Sequence, residues 1–209
     1  MAWGLSLIKH LHGRFVSDRR ARVLAQLLAA DVPKRASVLD VGCGDGTIAH
    51  LLRQQIPSLS VQGLEVMARP HCLIDYNIFD GTRIPHEDAS FDVYMFVDVL
   101  HHTEDIETVL KEGCRVSRRY VLMKEEMYEN ALDYASLKFM DWVGNRPHGV
   151  NLPYNFQTRK QWLEHFASSG LQIVAWRDRI PLYPFPFNTI FSRNLHFIAL
   201  LSKEADAAR

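Results

Sequence analysis

Three of the eleven glycines fall within the five residues Gly42-Cys43-Gly44-Asp45-Gly46, directly after the apolar run Ser37–Val41. Glycine lets the backbone turn tightly and lets a ligand approach the peptide plane, while a helix that follows points its first N–H groups outward. Such a turn can hold a phosphate or the carboxylate end of an amino-acid-like ligand. The spacing narrows the choice. A dinucleotide fingerprint requires G-x-G-x-x-G/A, but counted from Gly42 the last position is Thr47. A P-loop requires Gly-Lys-Ser/Thr, which is absent. Glu65 lies 21 residues beyond Gly44, at the end of the second apolar run, with Val66 beside it. A carboxylate there can accept both hydroxyls of a ribose. One acid at a strand end is by itself an ordinary solvated residue; coupled to the glycine turn it points to a ligand.

The elements that must hold these residues alternate. Ser37–Val41 reads as a short buried strand and Thr47–Gln55 as a helix stopped by Pro57. Further strands are predicted over 61–66, 73–79, 91–97 and 120–123, with a helix over about 104–118. Strands alternating with helices argue for a parallel sheet covered on both faces. After Lys124 the composition changes: residues 139–197 hold 12 of the 22 aromatics and five of the nine prolines. A helix over 158–168 closes at Gly170, and 171–176 and 195–201 read as strands. The proline-rich stretch 181–187 between them cannot be a central strand and reads as a wall or flap.

Composition sets outer bounds. Twenty-four basic residues balance 24 acidic ones, which argues against a chain built to grip phosphate backbones, so no nucleic-acid partner is expected. Through residue 36 seven Lys/Arg stand against Asp18 and Asp31. In this stretch Trp3, Leu7, Ile8, Leu11 and Phe15 recur at helical spacing, and a second helix begins near Ser17-Asp18 with Val23, Leu24, Leu27 and Leu28. A basic amphipathic start can touch a membrane surface; helices packed on the body with a solvated basic face are the simpler reading. The expected organisation is an N-terminal helical segment (1–35) and a single domain (36–209), with an aromatic-rich substrate or lid region at 131–192. Cys43, Cys72 and Cys114 form neither a CxxC nor an even set, and no apolar run approaches the roughly 20 residues of a membrane span. With no signal-peptide pattern at the start, a cytoplasmic setting is expected.

As an ordered set, Val38–Gly46, Gly63-Leu64-Glu65, Asp80-Gly81, Asp88–Asp92 and Val99-Leu100-His101-His102 resembles the class I S-adenosylmethionine-dependent methyltransferases. The similarity is greatest to the small-molecule branch that includes quinone C-methylases. The resemblance covers residues 36 to about 124. It implies a Rossmann-like, seven-stranded, mostly parallel sheet with an antiparallel last strand and helices on both faces. It also implies S-adenosylmethionine as cofactor. Carried over, Asp40 and the turn Gly42, Cys43, Gly44 and Gly46 would lie under the methionine part. Glu65, with Val66, would hold the ribose, and Asp80 with Gly81 would meet the adenine. Asp98 and Val99 would lie near the methionine amino group or the transfer site. One departure stands out: the family usually has a full helix between strands two and three, for which Met67–His71 leaves little room. Arg69 is positioned to reach back to the cofactor.

The resemblance implies a small-molecule acceptor with an oxygen, nitrogen or carbon nucleophile, and the aromatic C-terminal region suits an apolar or amphipathic one. A sulfonium makes its own methyl electrophilic, so the protein must mainly align the acceptor and exclude water. A base is needed only where the acceptor loses a proton. His101 and His102 are the first candidates, against a structural reading in which they plug the core and cap the next helix. Glu125 and Glu126 could act as base or metal ligand, but are most simply solvated acids. Residues 140–156, with Asp141, Asn145, His148 and Tyr154, read as an irregular substrate-facing lid, so His148 and Tyr154 join the catalytic candidates. His101, His148 and an acid could hold a metal, but no spacing marks such a site and none is expected. The alternative is a non-catalytic module that binds the cofactor on the same fold; the intact turn, Glu65 and Asp80 speak against decay of that site.

Overall fold

The computed structural model describes residues 17–145, 152–185, 188–191 and 194–203. Seven strands form one sheet in the order β3-β2-β1-β4-β5-β7-β6. They are β1 (Ser37–Val41), β2 (Ser60–Glu65), β3 (Tyr76–Ile78), β4 (Phe91–Val97), β5 (Ser117–Glu126), β6 (Leu171–Arg177) and β7 (His196–Lys203). The pairings β1–β2, β1–β4, β2–β3 and β4–β5 are parallel, and β7 runs antiparallel to both β5 and β6. The helices are α1 (17–29), α2 (Thr47–Gln55), α3 (Ile106–Val116), α4 (Ala131–Asn145), α5 (Arg159–Ser168) and the short α6 (Asn188–Phe191).

Successive strand side chains point to opposite faces, and here both faces are covered. On one face Tyr94, Phe96, Val121 and Met123 pack against Leu110 of α3 and Trp162 and Phe166 of α5. On the other, Val93, Met95, Leu122 and Ile198 pack against Leu24 and Leu28 of α1 and Leu52 of α2. Helix α1 is therefore part of the same body as the sheet. Helix α3 starts at Asp105, whose side chain accepts from the Thr108 amide, and α5 starts at a Thr158–Gln161 capping box. The Trp162 indole N–H donates to the Glu126 carbonyl at 2.9 Å, tying α5 to the end of β5.

Three stretches differ from the sequence reading. Strand β5 does not stop at Met123 but continues through Glu126, because β7 pairs with it as far as Glu126↔His196. Strand β3 is only three residues long where 73–79 is expected, while the lack of a helix between it and β2 agrees with the short Met67–His71 stretch. Part of the expected irregular lid is helix α4, which turns Leu137 and Asp141 inward and leaves Leu132, Phe139 and Val143 on its outer side. The apolar N-terminal stripe from Trp3 to Phe15, His148, and 146–151 of the lid lie outside the described residues.

Candidate functional site

The strand order reverses between β1 and β4, and the carboxyl ends of parallel strands at such a point form the crevice where open α/β sheets take ligands. The glycine turn leaves β1 there. Gly42 and Cys43 donate their amides to the Leu64 carbonyl at 2.8 and 3.2 Å, hooking the turn onto β2. Gly42, Gly44 and Gly46 have φ of 69°, 59° and 73°, left-handed conformations that glycine adopts without strain. A Cβ on Gly42 would stand 2.5 Å from a methyl of Val99, so this turn and the β4 end touch. At Gly44 a Cβ would meet nothing within 4 Å, leaving an open approach to its peptide plane.

Beneath the turn lie two buried carboxylates. Glu65 Oε1 accepts from the Gly44 amide at 2.8 Å and from the Arg69 guanidinium at 2.9 Å, and Oε2 accepts from the Val66 amide at 3.0 Å. Arg69 thus reaches Glu65, where the sequence reading pointed it at the cofactor. Asp40 is 4% exposed. Burial, and then the charge of Glu65, push its carboxyl up to about 8. Cys43 lines the same cleft with Asp45, Ile48 and Val97, and burial keeps its thiol protonated. Further along the edge, a Cβ on Gly81 would lie 3.2 Å from the half-exposed Val66. Asp80 is exposed, and the Thr82 amide and hydroxyl and the Arg83 amide, all donating to its Oδ1, hold its carboxyl below the ordinary range.

The β4 end is fixed by charge. Asp98, at φ 57°, is paired with Arg20 of α1 on one oxygen and Lys124 of β5 on the other. Burial opposes ionisation of Asp98, but Arg20 and then Lys124 outweigh it and hold the carboxyl well below the usual range. Lys124 is fully buried, and its ammonium also lies 3.3 Å from His196 Nδ1. Neither Lys124 nor Arg20 stands out in sequence. The readable sign is a charged residue prolonging an apolar strand in the middle of the sheet.

Glu125 and Glu126 are buried, not solvated, because β7 pairs with both and the Val99–His101 segment that follows β4 closes over Glu125. One oxygen of Glu125 accepts from the Val99 and Leu100 amides at 2.7 and 2.6 Å; the other meets His101 Nδ1 at 2.8 Å. Burial works against a charge on His101, but Glu125, Glu126 and Asp98 raise it to about 9. Glu126 is pushed up by burial to about 7. The histidines do not cap α3, since Asp105 does that. His101 and His102 have ring centroids 4.1 Å apart, and His101 stacks on Phe156 at 5.3 Å. Asp141 of α4 closes the group, with Oδ1 3.9 Å from His101 Nε2 and 3.8 Å from His102 Nε2. Tyr154 sits one ring further out, 6.3 Å from Phe156 and under the Lys138 ammonium. The structure therefore joins His101, His102, Glu125 and Asp141 directly, and Tyr154 through Phe156. The His–His–Asp group has no sequence spacing because its members come from β4's end and α4, about 40 residues apart.

The fold and the ordered motifs have known counterparts. A family model described as a methyltransferase domain matches residues 10–175. The chain belongs to this family, the class I S-adenosylmethionine-dependent methyltransferases. It is 26% identical over 145 residues to norajmaline N-methyltransferase of Rauvolfia serpentina, covering 56% of this chain and 50% of that one. It is 31% identical over 108 residues to a ubiquinone/menaquinone biosynthesis C-methyltransferase of Desulfotalea psychrophila, covering 47% and 44%. The chain thus spans about half the length of the curated relatives it matches. Among solved structures, a chain from the complex of the Haloferax volcanii Trm112 methyltransferase activator with a methyltransferase superposes with a TM-score of 0.67 at 15% identity. That superposition covers 91% of this chain and 92% of the other, and it shows the shared fold.

Proposed function

We propose that this protein transfers a methyl group from S-adenosylmethionine to an oxygen, nitrogen or carbon nucleophile of a small apolar or amphipathic molecule. The observation that carries this reading is the open face of Gly44 with its amide already bonded to the buried Glu65 carboxylate. A nucleoside with an amino-acid tail fits that cradle. Asp40, the Gly42–Gly46 turn and Asp98 would take the amino-acid end, and Glu65 would take the ribose hydroxyls in place of Arg69. Val66, Asp80 and Gly81 would line the base. When bound, the cofactor supplies an electrophilic methyl on sulfur. The protein's own work is then to orient the acceptor and keep water out. Val99 touches the glycine turn, and two residues further on His101 opens the acceptor end, walled by Phe156 and Tyr154. The group of His101, His102, Asp141 and Glu125 is where the acceptor's reacting atom and any proton it loses would be handled.

Calorimetry with S-adenosylmethionine and with S-adenosylhomocysteine tests the cofactor assignment. Binding should be measurable, and Gly44→Val or Glu65→Ala should weaken it about 100-fold or more. If the unaltered protein takes up neither ligand, the reading is wrong. Transfer of a labelled methyl group to a panel of phenols, amines and quinols then identifies the acceptor atom, which relatives acting on nitrogen and on carbon leave open.

A further inference from the structure

We propose that His101, His102 and Asp141 form a site for one divalent transition-metal ion, placed to hold the reacting end of the acceptor. The ion site stands on its own geometry; only its placement beside the acceptor rests on the methyl-transfer reading. The candidate ligand atoms of the three side chains all lie within 4.8 Å of one another, and His101 and Asp141 are buried. Two bonds of about 2.1 Å at a tetrahedral ion hold their ligand atoms about 3.4 Å apart, and the two His–Asp separations, 3.9 and 3.8 Å, need close by only a few tenths of an ångström to reach it.

Two further features point the same way. Glu125 binds His101 at Nδ1, which leaves Nε2 facing Asp141; a ligating imidazole whose other nitrogen is held by a carboxylate is the usual support around bound metal. Phe156 stacks on the same ring and resists its rotation. Charge also asks for a cation. Four acidic side chains, Asp98, Glu125, Glu126 and Asp141, converge here, and among the described residues Arg20 and Lys124 pair with Asp98 and His101 pairs with Glu125. A divalent ion would supply the balance, and imidazolium charge is the rival source. Two nitrogens and one carboxylate suit Zn2+, Mn2+ or Fe2+ better than Mg2+ or Ca2+, and three protein ligands leave positions open. The acceptor that follows is one whose reacting oxygen or nitrogen can coordinate a metal ion.

The test uses the full chain after chelator treatment, titrated with Zn2+ and with Mn2+ by calorimetry and followed by metal analysis after desalting. One ion per chain is expected for at least one of them. Asp141→Asn and His102→Gln should each weaken binding about 100-fold or more, and Glu125→Gln by about 10- to 100-fold. Affinity of the metal-free protein for S-adenosylhomocysteine should stay unchanged in the Asp141 and His102 variants, with thermal unfolding confirming that at least one of them folds. Uptake well below one ion per chain, or binding that survives in a folded variant, would mean that imidazolium balances the charge and would overturn the metal site. Stoichiometric metal without S-adenosylhomocysteine binding would keep the site and discard the methyl-transfer reading; the converse would do the reverse.

Discussion

At the scale of single residues, the buried acid Asp40 makes a measurable commitment. Its carboxyl is raised to about 8 by burial and by Glu65, with the Cys43 thiol as a further neighbour. An unfolded aspartate titrates near 3.9. Between those values the folded chain keeps a proton that the unfolded chain has lost, so this group lowers stability progressively as pH rises from about 4 to about 8. Urea unfolding at pH 5 and pH 8 should show that fall, and Asp40→Asn should flatten it. A cationic amino group arriving beside Asp40 would drive the proton off. Cofactor binding at pH 7 should then release a proton, read as a heat that changes with the buffer's ionisation enthalpy, and the Asn variant should lose that dependence. Residues of this kind were only half legible. Asp40, the glycines and Glu65 announce themselves because a strand ends in a turn that only glycine makes. Lys124, Glu125 and Glu126 do not, because three charged residues in a row look solvated until β7 is known to lie alongside.

Among the elements, those with sharp chemical ends were read closely. Strand β1, helix α2 and strand β4 have the predicted bounds, since an apolar run meets a glycine turn, a proline or a charged break at each end. Helix α4 falls in the expected lid region instead: the polar, glycine-containing stretch 140–156 reads as irregular, and the helix's outward face, with Leu132, Phe139 and Val143, lacks the usual polar side. Helix α5, expected over 158–168 from its close at Gly170, has a capping box at its start that can be tested. Thr158→Ala removes the bond from the Gln161 amide to the Thr158 hydroxyl, keeps the reciprocal bond from the Thr158 amide to the Gln161 side chain, and should cost about 1 kcal/mol in urea unfolding. Because Trp162 anchors α5 to Glu126, fraying of this helix should also raise amide exchange at the end of β5.

For the molecule as a whole, α1 is joined to the active edge by a contact between distant parts of the chain. Leu24 and Leu28 bury it against the sheet, and Arg20 extends from it to Asp98. Arg20→Met keeps the apolar stem and removes the charge, leaving Asp98 with Lys124 alone. It should destabilise the protein by about 2 kcal/mol in urea unfolding and weaken cofactor binding in the same calorimetric experiment. No helix among the described residues is long and apolar enough to cross a membrane. One carboxylate at that edge has a mechanical meaning. Glu125 grips the backbone of Val99 and Leu100 with one oxygen and the His101 ring with the other. A planar carboxylate cannot swing one oxygen without swinging its twin. Glu125 is therefore a rocker between two seats: whatever turns the imidazole also presses on Val99, and through it on the glycine turn. Filling either seat should change the affinity of the other by an equal factor, so the two ligands would report on each other without touching.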